Sequence, residues 1–577
     1  MSRLLHRMSR HLEAYIFSPS ERPGSPAGIC GSTMAKMMSM VSLPPSSVRP
    51  LSLLSGCLLL ALFFLHSGWS MDAVGGGFHP GHVWAVDQVA AMMSGSESWS
   101  GWTTRIGFPE PVYLRLIGWA PLLLAAPLSW VIGAPGAMWV VIAVAFVLAG
   151  LCSAALIHRV TGASWAVSAG SSLIYVLGPF SLGVLANGQL AKMQLWCLPV
   201  LLLAVDRWLS EGPTSRRGVC VFGATVALGF TSPSVGLVVP VAVGCWVLFR
   251  SPWRAGGVSR ATLVLVLVAV GLAVPWLMHT VEITGTAGLL PAAPVPGLRS
   301  PPALSPVTTL SSLFWAEGPW GGARLAINNV AGLGIPAVVA AAGAAFLVRR
   351  QAGLGLSLFA IGSVLSMGPT TLAFGYKWIL PATLLEMAHY PLTESGMYYR
   401  FVQLAALGLA ISAAQLAHRL PKGSAWVALA IGLLTVGDGI RETRVLWPRS
   451  LAAIPHQDLY KQMEASPEPG AVLELPLSHL DTEGERRLLG QLIHRRPTTV
   501  LARNMVVMGQ PRLERLARML AGRDPAKELS QAGFRYILLH SPSSNRSEYE
   551  SLVSVFGPSL GERGLGVWVV PSSQEGG

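Results

Sequence analysis

Residues 51–69 read LSLLSGCLLLALFFLHSGW and are followed at once by Ser70, Met71 and Asp72. This run carries no Asp, Glu, Lys or Arg. At about 1.5 Å per residue it reaches across a hydrocarbon core of about 30 Å. It reads as a membrane helix that delivers an acidic loop to the far surface. The whole chain repeats that choice. Of its 577 residues, 52% are hydrophobic and 12% charged, about half the charge of an ordinary soluble domain. So little charge cannot coat several soluble domains, and most of the chain must face lipid or other helices.

Ten further apolar runs follow, at about 137–157, 164–185, 193–205, 218–230, 234–249, 261–279, 329–348, 354–367, 401–417 and 425–440. With the first, they make eleven crossings. The run at 116–132 is broken by Pro121 and Pro127, and charge decides how it is read. Basic residues gather at Arg159, at Arg207 with Arg216 and Arg217, at Arg250 with Arg254 and Arg260, at Arg349 with Arg350, and at Arg419 with Lys422. The positive-inside rule places all five clusters, and the basic leader, in the cytoplasm only if 116–132 does not cross. That run is therefore expected to be an interfacial or re-entrant helix on the outer side.

The expected architecture is a polytopic α-helical membrane protein with a small C-terminal α/β extracytoplasmic domain. Residues 1–50 form a disordered basic cytoplasmic leader, and no small-residue cleavage site follows the first apolar run. Met34, Met37, Met38 and Met40 leave open a start further along. Residues 51–450 form the membrane domain, with outer loops at about 70–136, 280–328 and 368–400. Residues 451–577 have the composition of a soluble domain. In it, 471–476, 534–540 and 565–570 read as strands, while 483–495 and 510–520 carry helical periodicity.

Composition and motifs exclude several classes. The net charge of +13 is what cytoplasmic loops of a membrane protein supply, and no basic stretch is interleaved with aromatics as a nucleic-acid groove requires. Five of the six cysteines, Cys57, Cys152, Cys197, Cys220 and Cys245, lie in apolar segments, and Cys30 lies in the leader. No CxxC pair or zinc spacing occurs, so no disulfide framework is implied. The C-terminal domain has no G-x-G-x-x-G, P-loop or nucleophile elbow, and His540 at a strand end reads as structural.

Several motifs resemble those of the GT-C superfamily of integral-membrane glycosyltransferases. The acidic loop directly after the first helix is one. The proline-broken segment before Gly133-Ala134-Pro135, and the helix ending His158-Arg159-Val160-Thr161-Gly162, are others. The stretch Gly75-Gly76-Gly77-Phe78-His79-Pro80-Gly81-His82-Val83-Trp84 is similar to a motif of bacterial GT-C-like and YfhO-like membrane proteins. So is Pro391 to Phe401, in which Arg400 enters a late helix. The C-terminal strands resemble the outer domain of the same group. The resemblance covers nearly the whole chain after the leader. It implies sugar transfer from a polyprenyl-phosphate carrier to a cell-envelope glycan or lipid acceptor, at the outer face of a bacterial inner membrane. It also implies a catalytic carboxylate in the first outer loop. One departure matters: the group places an aspartate after the Gly-Gly that precedes Gly-His-x-Trp, where this chain has Phe78 and His79.

Such a transfer needs a base for the acceptor hydroxyl and positive charge on the departing phosphate. Asp72, at the membrane surface, and Asp87 are the candidate catalytic carboxylates. Trp84 and Asp87, three apart, share a helical face, which sets an aromatic platform for a sugar beside an acid. His79, His82 and Trp84 are candidate substrate-binding residues. His79 and His82 could also hold a divalent metal with Asp72 or Asp87; no cofactor is otherwise implied. Lys192 and Arg400 lie against the positive-inside bias and are the candidates for the phosphate. Each residue has a plainer reading: the aspartates as solvated loop residues, the cations as side chains reaching lipid head groups. Trp315, Trp320 and Tyr390 read as a groove lining or an interfacial belt.

Two other functions compete. A transporter should show repeats and mid-membrane ionisable residues, whereas Lys192, Asp206 and Asp438 lie near helix ends and no repeat is apparent. A non-catalytic scaffold of the same fold is favoured by the missing aspartate near Phe78. Oligomeric state, donor sugar and acceptor are not legible.

Overall fold

The computed structural model describes residues 45–65, 73–75, 80–99, 102–109, 111–114, 118–186, 193–231, 235–250, 255–286, 332–367, 370–373, 376–379, 381, 398–420, 423–443, 451–454, 456–477, 482–500, 506–507, 511–541, 544–561 and 564–571. Helices dominate. The first, α1 (Pro45–Leu65), buries Leu51, Leu54, Leu58 and Leu62, spaced three, four and four residues apart along one face. This stripe packs on α3 (Trp119–Thr161), where a Cβ on Gly150 would come within 2.5 Å of Leu58. Between them lie strand β1 (Ala73–Gly75), α2 (Pro80–Met93), and strands β2 (Trp102–Thr103) and β3 (Val112–Leu114).

The 43-residue α3 is two helices, because Gly133 sits inside it at φ 70 and ψ 162. That conformation is open to glycine and strained for any side chain. Residues 134–161 can cross a 30 Å core, while residues 119–132 reach only about 21 Å. The second half ends at Gly162, whose amide returns to the His158 carbonyl, and Ser164 caps the next helix.

Next come α4 (Trp165–Val176), α5 (Pro179–Ala186), α6 (Cys197–Glu211), α7 (Ser215–Thr231), α8 (Val235–Arg250) and α9 (Ala255–Thr286). After them are α10 (Ile335–Leu347), α11 (Arg349–Ser366), the hairpin β4 (Thr370–Ala373) and β5 (Tyr376–Ile379), and a 3₁₀ turn over Tyr398–Phe401. That turn runs into α12 (Val402–His418), and α13 (Ser424–Thr443) follows. Glycines let helices meet closely, as they must where lipid supplies no hydrophobic drive. A Cβ on Gly408 of α12 would fall 2.4 Å from the Gly355 carbonyl of α11, and one on Gly432 of α13 equally close to Gly170 of α4.

Among the described residues three helices are long and apolar enough to cross a membrane unaided: Trp119–Thr161, Val258–Pro275 and Ser424–Arg441. A fourth arises if α4 and α5, bent by 55°, form one span. Four shorter apolar helices accompany them, at Ser47–Leu62, Val238–Arg250, Ile335–Leu347 and Val402–His418.

Contacts fix which helix ends lie together. Arg159 and Arg250 both bind Asp206. Gly353, beside Arg349 and Arg350, faces Phe249, and Arg419 donates to Gln351. These contacts gather charge clusters drawn from α3, α6, α8, α11 and α12 at one end of the bundle. Tyr175 of α4 and Gln403 of α12 meet at the other.

The C-terminal region follows: β6 (Leu451–Ala453), α14 (Gln457–Ala465), β7 (Ala471–Leu475), α15 (Thr482–His494), β8 (Val506–Val507), α16 (Pro511–Leu520), α17 (Pro525–Gln531), β9 (Phe534–His540), α18 (Arg546–Phe556) and β10 (Leu565–Val569). Strands β7 and β9 pair in parallel, with β10 antiparallel on the other side of β9. The strands and helices expected from sequence fall in these places. Leu473, Leu475, Ile537, Leu539, Leu516, Leu529 and Trp568 form the buried core under the sheet.

Candidate functional site

The first loop and the C-terminal region are built into one another. Strand β1 pairs with β6, and β3 joins β2 to β8, so the loop's strands are completed by residues more than 370 positions away. Phe108 enters the C-terminal core and meets Phe534 edge-on, ring centres 5.1 Å apart. Helix α2 packs on α15, and there the polar residues of the loop find their partners.

Asp87 of α2 is the centre of that contact. Arg105 donates to its carboxylate at 2.7 Å and Arg495 to both of its oxygens at 2.7 Å. Burial pushes the Asp87 carboxyl up, but the two guanidinium groups outweigh it and hold it below the ordinary range. Such a carboxylate is a stable anion and a weak base. Arg105 also donates to Gln88 at 2.9 Å and lies 5.9 Å above the Trp84 ring. Trp84 is fully buried, and its indole N–H donates to Gln491 of α15 at 2.8 Å. His82, on the same helix, is half-buried.

Deeper in the C-terminal region, Glu474 of β7 pairs with His540 of β9. Burial raises the Glu474 carboxyl, and His540, His494 and Arg487 together bring it below its usual range. His494 is buried, which lowers its pKa to about 4 and leaves it uncharged near neutrality. His540 thus has the structural partner its place at a strand end suggested.

The remaining sequence-derived residues divide between the described and the undescribed. Asp72, His79 and Lys192 lie outside the described residues, as do Trp315, Trp320 and Tyr390. Arg400 is described: it is buried, in the 3₁₀ turn that opens α12, 6% exposed. The structure brings Trp84 and Asp87 together on α2, as their spacing required, and places Arg400 in the helical bundle. Among the described residues no group of three His, Cys, Asp or Glu side chains is placed to hold a metal ion.

Sequence reading passed over Arg105, Gln491 and Arg495, which organise the loop, and Tyr175 and Gln403 inside the bundle. The last two carried a usable signal. Polar side chains within apolar helices are costly and are kept for a reason. Gln403 Nε2 donates to the Tyr175 hydroxyl at 2.7 Å, and that hydroxyl donates to the Leu195 carbonyl at 2.8 Å.

No family model matches the sequence, and no curated protein matches it. Solved structures do resemble the fold. The chain is similar to the arabinofuranosyltransferase AftD from Mycobacteria, with 14% identity and a TM-score of 0.54, over 85% of this chain. It spans only 36% of that protein's length. It is also similar to the Archaeoglobus fulgidus oligosaccharyltransferase, at 11% identity and a TM-score of 0.49, over 87% of this chain and 71% of that one. A third is ArnT from Cupriavidus metallidurans, solved with undecaprenyl phosphate, at 12% identity and a TM-score of 0.48, over 90% and 98% of the two chains. The first likeness establishes a GT-C-like fold. With the apolar helices, it places the chain in a membrane.

Proposed function

We propose that this protein is a GT-C-type glycosyltransferase of a bacterial inner membrane. It would take a sugar from a polyprenyl-phosphate carrier and pass it to a cell-envelope glycan or lipid acceptor on the outer face. The observation that carries the reading is the fold likeness to an arabinofuranosyltransferase over 85% of the chain. The supporting arrangement is a buried arginine, Arg400, entering the bundle at the end opposite the charge clusters. By the positive-inside rule the clustered end is cytoplasmic. The opposite end, with the first loop and the C-terminal region of residues 451–577, is then extracytoplasmic, in a proposal that takes the chain to cross eleven times.

In this proposal Asp72 is the base that takes the proton of the acceptor hydroxyl, and Arg400 with Lys192 balances the charge of the departing polyprenyl phosphate. The sugar's anomeric C–O bond to phosphate breaks as the acceptor oxygen bonds to that carbon. His79 and His82 flank the acceptor, and a divalent metal between them and Asp72 is compatible with their donor chemistry. Asp87 and Trp84 do different work: the two arginines and Gln491 spend their polar groups on docking α2 to α15. They set the position of the loop that carries Asp72.

A non-catalytic scaffold of the same fold is the second reading, favoured by the sequestration of Asp87 and by Phe78 standing where the group has an aspartate. Asp72→Asn and Asp87→Asn, each expressed in the parent cell, separate the readings. Glycan profiles of the envelope should lose the product with Asp72→Asn and retain part of it with Asp87→Asn. Normal profiles from both would leave the scaffold as the better account.

A further inference from the structure

We infer that Tyr175 and Gln403 are positioning residues for the lipid-phosphate end of the donor, acting by fastening the turn that carries Arg400 to α4 and to the turn that holds Leu195. The inference rests on the reading of Arg400 as a phosphate ligand, and it adds residues which that reading does not contain.

The structure provides a buried relay between elements far apart in the chain. Gln403 sits in the first turn of α12, three positions after Arg400, and so shares a face with it. Its side-chain amide donates to the Tyr175 hydroxyl, 228 positions away on α4. That hydroxyl in turn donates a hydrogen bond to the carbonyl of Leu195 at 2.8 Å. The turn that holds Leu195 is fastened a second time: Trp196 donates its indole N–H to the Gln194 side chain at 2.8 Å, and the Cys197 amide returns to the Gln194 carbonyl. The break between α4 and α5 is held as well, because the Ser181 hydroxyl donates to the Tyr175 carbonyl at 2.6 Å.

None of this is needed to pack helices. Leu or Phe would fill the same volume without the desolvation that a buried hydroxyl and amide require. Fully satisfied polar networks in a low-dielectric core hold their members in one geometry, and cations that stabilise a departing phosphate must be preset to be effective. The relay is placed to preset Arg400 relative to α4 and the turn that holds Leu195.

The test uses the full chain in nanodiscs, with undecaprenyl phosphate as the probe and two shape-conserving variants, Tyr175→Phe and Gln403→Met. Both should still fold, with the melting midpoint lowered by no more than a few degrees, and bind the probe about tenfold more weakly, as loss of one buried hydrogen bond to a positioning role implies. In an Arg400→Ala background the same changes should cost almost nothing further, because the group they position is gone; a purely structural role would give additive losses. Variants that bind like wild type, or that lose tenfold again in the Arg400→Ala background, overturn the inference alone. Wild-type protein that does not bind the probe overturns the underlying reading and the inference with it. Should Tyr175→Phe fail to fold, Gln403→Met carries the same comparison from the other end of the relay.

Discussion

Asp206 and Asp87 are each gripped by two arginines, at opposite ends of the bundle, and the two sites are built for different ends. Asp206 joins the C-terminal ends of α3 and α8 through Arg159 at 2.6 Å and Arg250 at 2.8 Å, with Trp246 donating a third, longer bond of 3.3 Å. Its side chain is 2% exposed. Asp87 joins a loop helix to the C-terminal region, is 16% exposed, and one of its arginines, Arg495, is half in solvent. The first is a staple that ties α3 and α8 to α6 within the bundle. The second is a seam between two parts of the chain, weaker by construction and open to acid.

Removing the carboxylates should show the difference. Asp206→Ala removes the buried partner that Arg159 and Arg250 share. Because both guanidinium groups are about a third exposed and Arg159 keeps Glu211 and Ser210, the cost should sit at the lower edge of the range for a broken buried pair, about 3 kcal/mol. Thermal unfolding in detergent would report it; a loss below about 1 kcal/mol would mean that the staple is solvated. Acidification comes next and should act on the seam. His494 is held near 4 against an ordinary 6.5, so between those pH values the unfolded chain binds a proton that the folded chain refuses. Stability from that site is full above 6.5 and falls by about 1.4 kcal/mol per pH unit, roughly 3 kcal/mol by pH 4. Asp87, whose pKa is lowered, keeps its contribution until the pH drops below its ordinary 3.8. Hydrogen exchange should therefore quicken in β3 and β8 from pH 6.5 downward while α4 and α12 stay protected. Uniform exchange across all four would contradict a separate seam. The smallest effect belongs to Asp87→Asn, about 1–2 kcal/mol, since the amide still accepts from one arginine and Arg495 reaches water. Limited proteolysis should then cut the first loop sooner without releasing the bundle.

The same contrast explains what was legible in the sequence. Charge is a one-dimensional signal, so Arg159, Arg250, Arg349 and Arg419 announced a common end, and the structure gathers them there. Short, largely apolar runs bounded by glycine or proline, such as residues 471–475 and 534–540, announced strands in the same local way. Pro121, Pro127 and the charge pattern marked 116–132 as a segment apart, although the break itself falls at Gly133, a role that sequence reading passed over. The seam did not show. Asp87 and Arg495 stand 408 positions apart, and nothing local to either residue names the other. Asp87 therefore read as a loop acid free for chemistry, and Trp84 as an exposed platform, when each has its partners on α15 or beside it. The relay of Tyr175 and Gln403 was half legible: a tyrosine and a glutamine inside apolar helices are costly and mark a buried polar contact, but neither names its partner 228 positions away.

The central claim is sugar transfer from a lipid phosphate, and its direct test is product release by purified protein. Full-length chain in nanodiscs would be given a polyprenyl-phosphate sugar labelled in the sugar, with an envelope glycan extract as acceptor. Label should move to the glycan with equimolar release of polyprenyl phosphate, and Asp72→Asn should reduce that rate by at least about a hundredfold, the scale of a lost general base. Label that stays on the lipid with wild-type protein, or transfer at an equal rate by Asp72→Asn, would contradict the account.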